Sequence, residues 1–392
     1  MEEWIKIRLG DIVEVSSGFS YKGEYIGSGR SILLGMGCVS FKEKFLMSGA
    51  RPYSGESPDR FHAQPGDIVL ATRQQSENLP ILGMPAIIPD SLSGHDVIVG
   101  ANLYRIINNS EIDNRFLYLQ LKTPHYLDHI NKCKTGTTVR MITKKNIEDY
   151  VFLCPPKEAR EKIVSMLWNI EDKIDLNKRI NHNLEEQAQA LYKSWFVDYE
   201  PFRGGNFVDS ELGMIPEGWR VGELSEIINI TSGKRPSTKS DYPTSTNIVP
   251  VYGASGIMAY TTDKLYDIPI LLIGRVGTLG IVQKIDDESW PSDNTLVIMS
   301  NNYHFVYYIL KTIDYKAINR GSTQPLITQS DIKQQMVLIP PDKVLMTFEQ
   351  KASILDNAIK NNDTAIMNLA LLRDTLLPKL MSGELKINDL TC

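Results

Sequence analysis

PKEAREKIVSMLWNIEDKIDLNKRINHNLEEQAQALYKSWF, residues 156–196, is the stretch around which the chain is organised, because it occurs twice. The second copy runs from Pro341 to Met381, so the offset is 341 − 156 = 185 residues. Ile163, Leu167, Ile170, Ile174, Leu184, Ala188, Leu191 and Trp195 alternate in three- and four-residue steps, which places one apolar stripe along a helix. The stripe returns in the second copy as Phe348, Ala352, Leu355, Ile359, Ile366, Leu369, Leu376 and Leu380. Asn177 and Asn362 stand near the helix midpoints. If the two helices pack antiparallel these amides face each other, since a polar residue in a coiled-coil seam fixes register at a cost in stability. The alternative is that both point to solvent. Asn181 and Arg373 also interrupt the stripe.

The duplication extends beyond the helices. Residues 4–18 align without gaps on residues 219–233, matching Trp4 with Trp219, Leu9 with Leu224, Ile12 with Ile227, Ser17 with Ser232 and Gly18 with Gly233. At the same 185-residue offset as the helices, Gly136-Thr137-Thr138 corresponds to Gly321-Ser322-Thr323, Ile142-Thr143 to Ile327-Thr328, and Pro155-Pro156 to Pro340-Pro341. The whole chain therefore reads as a tandem repeat in which a compact domain is followed by a long helix.

Within each domain, short strands are punctuated by Gly and Pro. Residues 66–73 read as a turn, a buried strand and a polar exit, with 268–275 as counterpart, so that Arg73 and Arg275 end equivalent strands. Residues 113–133 and 303–317 read as helices. Thr143 and Thr328 are placed as helix N-caps, the latter opening a capping box. The expected segmentation is a domain over 1–155, a helix over 156–196, a linker over 197–214, a domain over 215–340, a helix over 341–382 and a tail over 383–392.

A chain of 392 residues that is 42% hydrophobic can bury more than one core. The net charge of −5 argues against wholesale wrapping in nucleic acid but leaves room for a local basic groove. Four cysteines show no CxxC pair, no long uncharged apolar run occurs, and no leader follows Met1, so a reduced, soluble, cytoplasmic protein without membrane contact is expected. Neither a phosphate-binding Gly-Lys-Ser/Thr loop nor a Gly-x-Ser-x-Gly elbow is present. Cys154 and Ile339 precede the Pro pairs, which removes the Asn/Asp-Pro-Pro-aromatic site of amino methyltransferases. His125 and His129 share a helical face, but a surface pair explains them better than a metal site. No catalysis, metal or cofactor is expected in this chain.

Two related domains on antiparallel rods suit duplex DNA, whose backbone has local dyads. A 40-residue helix is about 60 Å long at 1.5 Å per residue, or about 17 base pairs. The expected site is therefore bipartite, and asymmetric because the domains differ between their anchors. Candidate DNA contacts are Arg73, Gln74, Gln75, Thr138, Arg140 and Lys144 in the first domain. Those in the second are Lys234, Arg235, Arg275, Arg320, Thr323 and Gln324. Arg, Gln, Ser and Thr reach bases and phosphates, and Lys positions the duplex. The alternative is that the Gly-Thr/Ser-Thr element is a structural turn in a solvated surface. Trp195, Phe196 and Phe202 form an aromatic cluster that either docks a partner or packs on the second domain.

Lys193-Ser194-Trp195-Phe196-Val197-Asp198-Tyr199-Glu200-Pro201-Phe202, Glu211-Leu212-Gly213-Met214-Ile215-Pro216-Glu217-Gly218-Trp219 and Leu376-Leu377-Pro378-Lys379-Leu380-Met381-Ser382-Gly383-Glu384-Leu385 resemble the conserved regions of type I restriction-modification specificity subunits. The resemblance implies an α+β fold class: two tandem α/β target recognition domains joined by two long antiparallel coiled-coil helices with pseudo-twofold symmetry. It also implies two methyltransferase subunits docked on the helices, with motor-nuclease subunits joining outside them. S-adenosylmethionine, ATP and Mg²⁺ would belong to those partners, and the methyltransferase would flip the adenine that it methylates at N6. A self-sufficient DNA-modifying enzyme and a coiled-coil adapter that binds no DNA remain rival readings.

Overall fold

A computed structural model of the chain describes residues 4–74 and 81–387. It divides into two compact units, one made of residues up to Asn177 with those from Thr364 onward, the other of Lys178–Asp363. Each unit thus holds one mixed α/β domain and half of each long helix.

In the first unit, strand Ile5–Arg8 pairs antiparallel with Val151–Cys154, closing the domain just before Pro155-Pro156 releases the helix. The central antiparallel sheet has the order Val13–Ser17, Leu103–Asn108, Ile68–Ala71, Pro85–Ile87. Ile68–Ala71 is buried along its whole length, which is why it reads as an unbroken apolar run rather than an alternation. A second sheet orders Ala50–Tyr53, Ile26–Leu34, Val97–Val99 and His62–Ala63, with Ile26–Leu34 parallel to Val97–Val99. The single helix expected over 113–133 is two helices, Asn114–Gln120 and Pro124–Cys133. Thr123 caps the second by accepting from the Tyr126 N–H, and Pro124, which has no N–H to donate, ends the first.

The second unit repeats the framework. Arg220–Glu223 pairs with Met336–Ile339, and the main sheet runs Asn229–Ser232, Thr295–Met299, Ile270–Gly274, Val282–Ile285. Helix Tyr303–Thr312 is shorter than the expected 303–317. The accessory sheet is repeated without its fourth, edge strand, keeping one antiparallel and one parallel pairing on its middle strand. It has three strands, Gly256–Thr261, Val249–Gly253 and Trp290–Pro291, against four in the first unit. The connection after the first long helix carries a small hairpin, Phe207–Val208 with Ile215–Pro216.

The long helices span Lys157–Phe196 and Asp342–Ser382. Within the second unit their halves run in opposite senses. Asn181 meets Asn362, whereas Phe196, fifteen residues further on, meets Phe348 at a ring-centroid distance of 4.8 Å. Asn362 Nδ2 donates to Asn181 Oδ1 at 2.9 Å, and Asn181 Nδ2 donates to Asp363 Oδ1 at 2.7 Å. This corrects the Asn177–Asn362 pairing expected from helix midpoints. The register is set by packing of large side chains such as Phe196 and Phe348, and it shifts the partner of Asn362 by 181 − 177 = 4 residues, one helical turn. Within the first unit, Arg373 reaches Glu171 at 3.2 Å, and both are buried.

Trp195, Phe196 and Phe202 are not an exposed cluster. Phe196 is 6% exposed and packs on Phe305 and Trp219, and Phe202 lies 4.9 Å from Trp219. Phe196 belongs to the core of the second unit and Trp195 and Phe202 are partly buried against it, the packing alternative of the two expected for this cluster.

Candidate nucleic-acid interface

In the first domain the buried strand Ile68–Ala71 leaves the sheet at Thr72, whose N–H and hydroxyl both donate to the Asn102 carbonyl, at 3.1 and 3.0 Å. Arg73–Gln74 then pairs antiparallel with Arg140–Met141. A hairpin loop closes on this ribbon through reciprocal bonds between Thr135 and Met141. Gly136 sits inside the loop at φ +91°, where a Cβ would lie 2.2 Å from the Val139 carbonyl oxygen, so the turn itself requires glycine. Thr138 is exposed at the tip and Arg73 is exposed beside it. Among the described residues Arg73 has no acidic partner. Arg140 is half-buried, as is Lys144, the first residue of helix Lys144–Glu148 capped by Thr143. Gln74 is a correction: it is 8% exposed and its Oε1 accepts from the Leu82 N–H at 3.4 Å, because strand alternation turns it inward beside outward Arg73. Gln75 lies outside the described residues.

The second domain builds the same ribbon. The Arg320 N–H donates to the Leu326 carbonyl at 2.9 Å, and a Cβ on Gly321 would come within 1.8 Å of the Gln324 carbonyl oxygen. Thr323 and Gln324 are exposed at the tip. The incoming strand differs by one position from the expected alignment. Ile142 N–H donates to the Thr72 carbonyl, whereas its repeat partner Ile327 donates to Arg275. Leu326, the repeat partner of Met141, pairs with Val276. Arg275 therefore takes the place of Thr72, and Val276 that of Arg73. One residue of slip in an extended strand moves a side chain to the other face, so the two arginines project from opposite sides of their ribbons.

Arg320 also has a structural contact. Its guanidinium grips Asp331, a buried carboxylate that also accepts from the N–H and hydroxyl of Thr328. Burial pushes the Asp331 carboxyl up, but the Thr328 hydrogen bonds and Arg320 outweigh it and leave the pKa below the usual value. Arg320 thus braces the hairpin while its side chain stays 58% exposed. Lys234 and Arg235 are exposed, Arg235 with only a loose contact to Asp293 at 3.6 Å. Gly18 and Gly233 coincide in the repeat for a steric reason. A Cβ on either would lie 2.0 or 2.1 Å from the carbonyl oxygen of Gly100 or Ser292.

The residues that tie each domain to its helix half carry no periodic signal and were not singled out in the sequence. Lys44 reaches Asp172 and Asp175, both at 2.8 Å, and lies over Trp168. In the second unit Lys284 and Lys360 converge on the buried Asp356 at 2.5 and 2.8 Å, with His304 and Glu349 beside them. Burial, then Lys284, pushes the His304 pKa down to about 4. His125 and His129 are used locally, on the Tyr150 hydroxyl and the Asn146 carbonyl. Among the described residues no cluster of metal-ligating side chains occurs, and no helix is long and apolar enough to cross a membrane.

The family described as type I restriction modification DNA specificity domain matches residues 1–186 and 216–369. The MjaIX specificity subunit of Methanocaldococcus jannaschii is 25% identical over 99% of this chain and 95% of its own length. The HindI specificity subunit of Haemophilus influenzae is 24% identical over 98% of this chain and all of its own. A crystal structure of the type I restriction-modification S subunit from M. genitalium superposes with a TM-score of 0.61 at 15% identity over 96% of each chain, a likeness of fold. Two matched domains, two framework sheets and two hairpin ribbons make this chain a member of the type I restriction-modification DNA specificity family, a DNA specificity subunit with both domains in one polypeptide.

Proposed function

We propose that this subunit reads an asymmetric, bipartite duplex site and catalyses nothing itself, serving as the frame on which two methyltransferase subunits dock. Residues 1–155 and 215–340 are the two target recognition domains. The long helices, counter-running and pseudo-twofold, set the distance between half-sites. At roughly 1.5 Å per residue they measure about 60 Å. The partners carry S-adenosylmethionine for adenine N6 methylation, and motor-nuclease partners carry ATP and Mg²⁺. The cytoplasm is the compartment in which such a complex meets DNA.

One observation carries this reading. The same strand-and-hairpin ribbon recurs in both domains with different exposed groups, Arg73 and Thr138 in one, Thr323 and Gln324 in the other. A repeated scaffold with unequal tips suits two unlike half-sites. Long-read mapping of methylated adenine in cells carrying the complex should give one bipartite motif with a fixed spacer. A continuous motif under an active methyltransferase would sink the proposal.

A further inference from the structure

The accessory sheet of the first domain, which has one strand more than its counterpart in the second, borders an open cleft of about 330 Å³. Tyr21, Ser48, Arg51 and Asn102 converge on it, and no carboxylate lines it. Among the described residues none of these four side chains has a hydrogen-bonded or ionic partner. Four residues whose side chains can all donate, one of them permanently cationic, thus line one concavity. The cleft adjoins the ribbon described above, since the Asn102 carbonyl is the acceptor that holds Thr72 beside Arg73.

Gly35 on the wall of the cleft separates a ligand site from a packing accident. Gly49 and Gly100 are needed for packing, because a Cβ on either would lie 2.0 or 2.4 Å from backbone. Gly35 is not. Its φ of −114° and ψ of 175° suit any residue, and a Cβ there would meet only the Gly49 carbonyl oxygen at 3.5 Å and Arg51 Nη2 at 3.7 Å. What a side chain at Gly35 would do is fill the space in front of the Arg51 guanidinium.

We propose that this cleft is an anion seat for one phosphodiester of the DNA backbone, with Arg51 as its charged contact and Tyr21, Ser48 and Asn102 as neutral donors. Arg with hydroxyl and amide donors and no competing acid is the chemistry that binds phosphate. The seat positions the first domain on its half-site without reading a base. At the equivalent position of the second domain Asn294, whose carbonyl accepts from Arg275 as that of Asn102 does from Thr72, follows Asp293, an acid where the first domain has Ala101. The inference rests on the DNA-reading function proposed above.

The test uses the complete subunit with its methyltransferase partner and fluorescence-labelled duplexes carrying the mapped site. Arg51→Ala should weaken binding about tenfold or more, by the same factor on the cognate site and on duplexes altered at single base pairs. The slope of log affinity against log salt should fall by about one. Gly35→Val should weaken binding similarly with an unchanged thermal midpoint. Neutral methylphosphonate placed at successive phosphates of the first half-site should reveal one position that weakens the wild type and has no further effect on Arg51→Ala. Loss of discrimination at a single base pair with an unaltered salt slope would make Arg51 a base reader and overturn the seat, as would unchanged affinity in both variants. Wild-type complex that binds no duplex would overturn the DNA-reading function and the seat with it, whereas sequence-specific wild-type binding with no methylphosphonate dependence on Arg51 overturns the seat alone.

Discussion

Glu171 and Asp356 occupy the same position in the two copies of the long helix, 356 − 171 = 185 residues apart, and both carboxylates are buried, at 2% and 6% exposure. They are neutralised from different directions. Glu171 is met by Arg373 of the other long helix, 8% exposed at its side chain. The repeat position of Arg373 is Ala188 (373 − 185), which has no charge to offer Asp356. Its cations come instead from Lys284 of the second domain and from Lys360 one turn along its own helix. The duplication preserved the demand for a cation but not its source. In the first unit the pair ties helix to helix, and in the second it ties the recognition domain to its helix.

The sharpest way to break this comparison is Arg373→Ala, which strands Glu171 in the core. Loss of one partner of a buried pair costs about 3–5 kcal/mol. Hydrogen exchange should show the loss in helix segments of the first unit, while the second unit keeps its protection. Equal loss in both would mean that the two neutralisation schemes are not independent.

A slightly smaller effect is expected from acid acting on His304 of the second unit. His304 is buried and its pKa is depressed to about 4, with burial the largest cause and Lys284 the next. The unfolded chain therefore binds the proton more readily than the folded one, so stability is intact above the ordinary histidine range and declines as pH falls from about 6.5 to about 4. The shift corresponds to roughly 3 kcal/mol. Asp356, held below the usual carboxylate range because Lys284 and Lys360 outweigh the upward push of burial, adds a loss at still lower pH. Glu349, raised by burial, acts in the opposite sense. Comparing wild type with His304→Gln in urea titrations between pH 7 and 4 isolates the histidine. The variant's profile should be flatter, and identical profiles would remove His304 from the account.

The smallest expected effect tests the shared framework. Thr143 and Thr328 cap equivalent helices, each in a capping box with the residue three positions on. Thr143→Ala and Thr328→Ala should each cost about 1 kcal/mol, and similarly in the two units, as measured by local exchange protection. A large inequality would show that the framework is less symmetric than its sequence.

These contrasts separate what sequence carries from what it does not. The two caps, the all-buried strand Ile68–Ala71, the Pro pairs that release the helices and the 185-residue repeat are local or recurrent patterns, and each is legible without coordinates. The hairpin loops were legible as a matched Gly-Thr/Ser-Thr element, because the same close backbone approach excludes a side chain at Gly136 and Gly321. The anion seat was not legible, since Tyr21, Arg51 and Asn102 come together only when the accessory sheet folds.

Sequence alone determined that the chain is a repeat of domain plus long helix, because periodicity and backbone restrictions act over a few residues and repeat wherever the residues do. Tertiary structure decided which groups face which: Asn181 rather than Asn177 against Asn362, Gln74 turned into the core, Arg275 in the place of Thr72, Arg373 on Glu171. Those choices hang on register between distant segments. One residue of slip in a strand, or one turn in a helix, exchanges partners while leaving every local pattern intact.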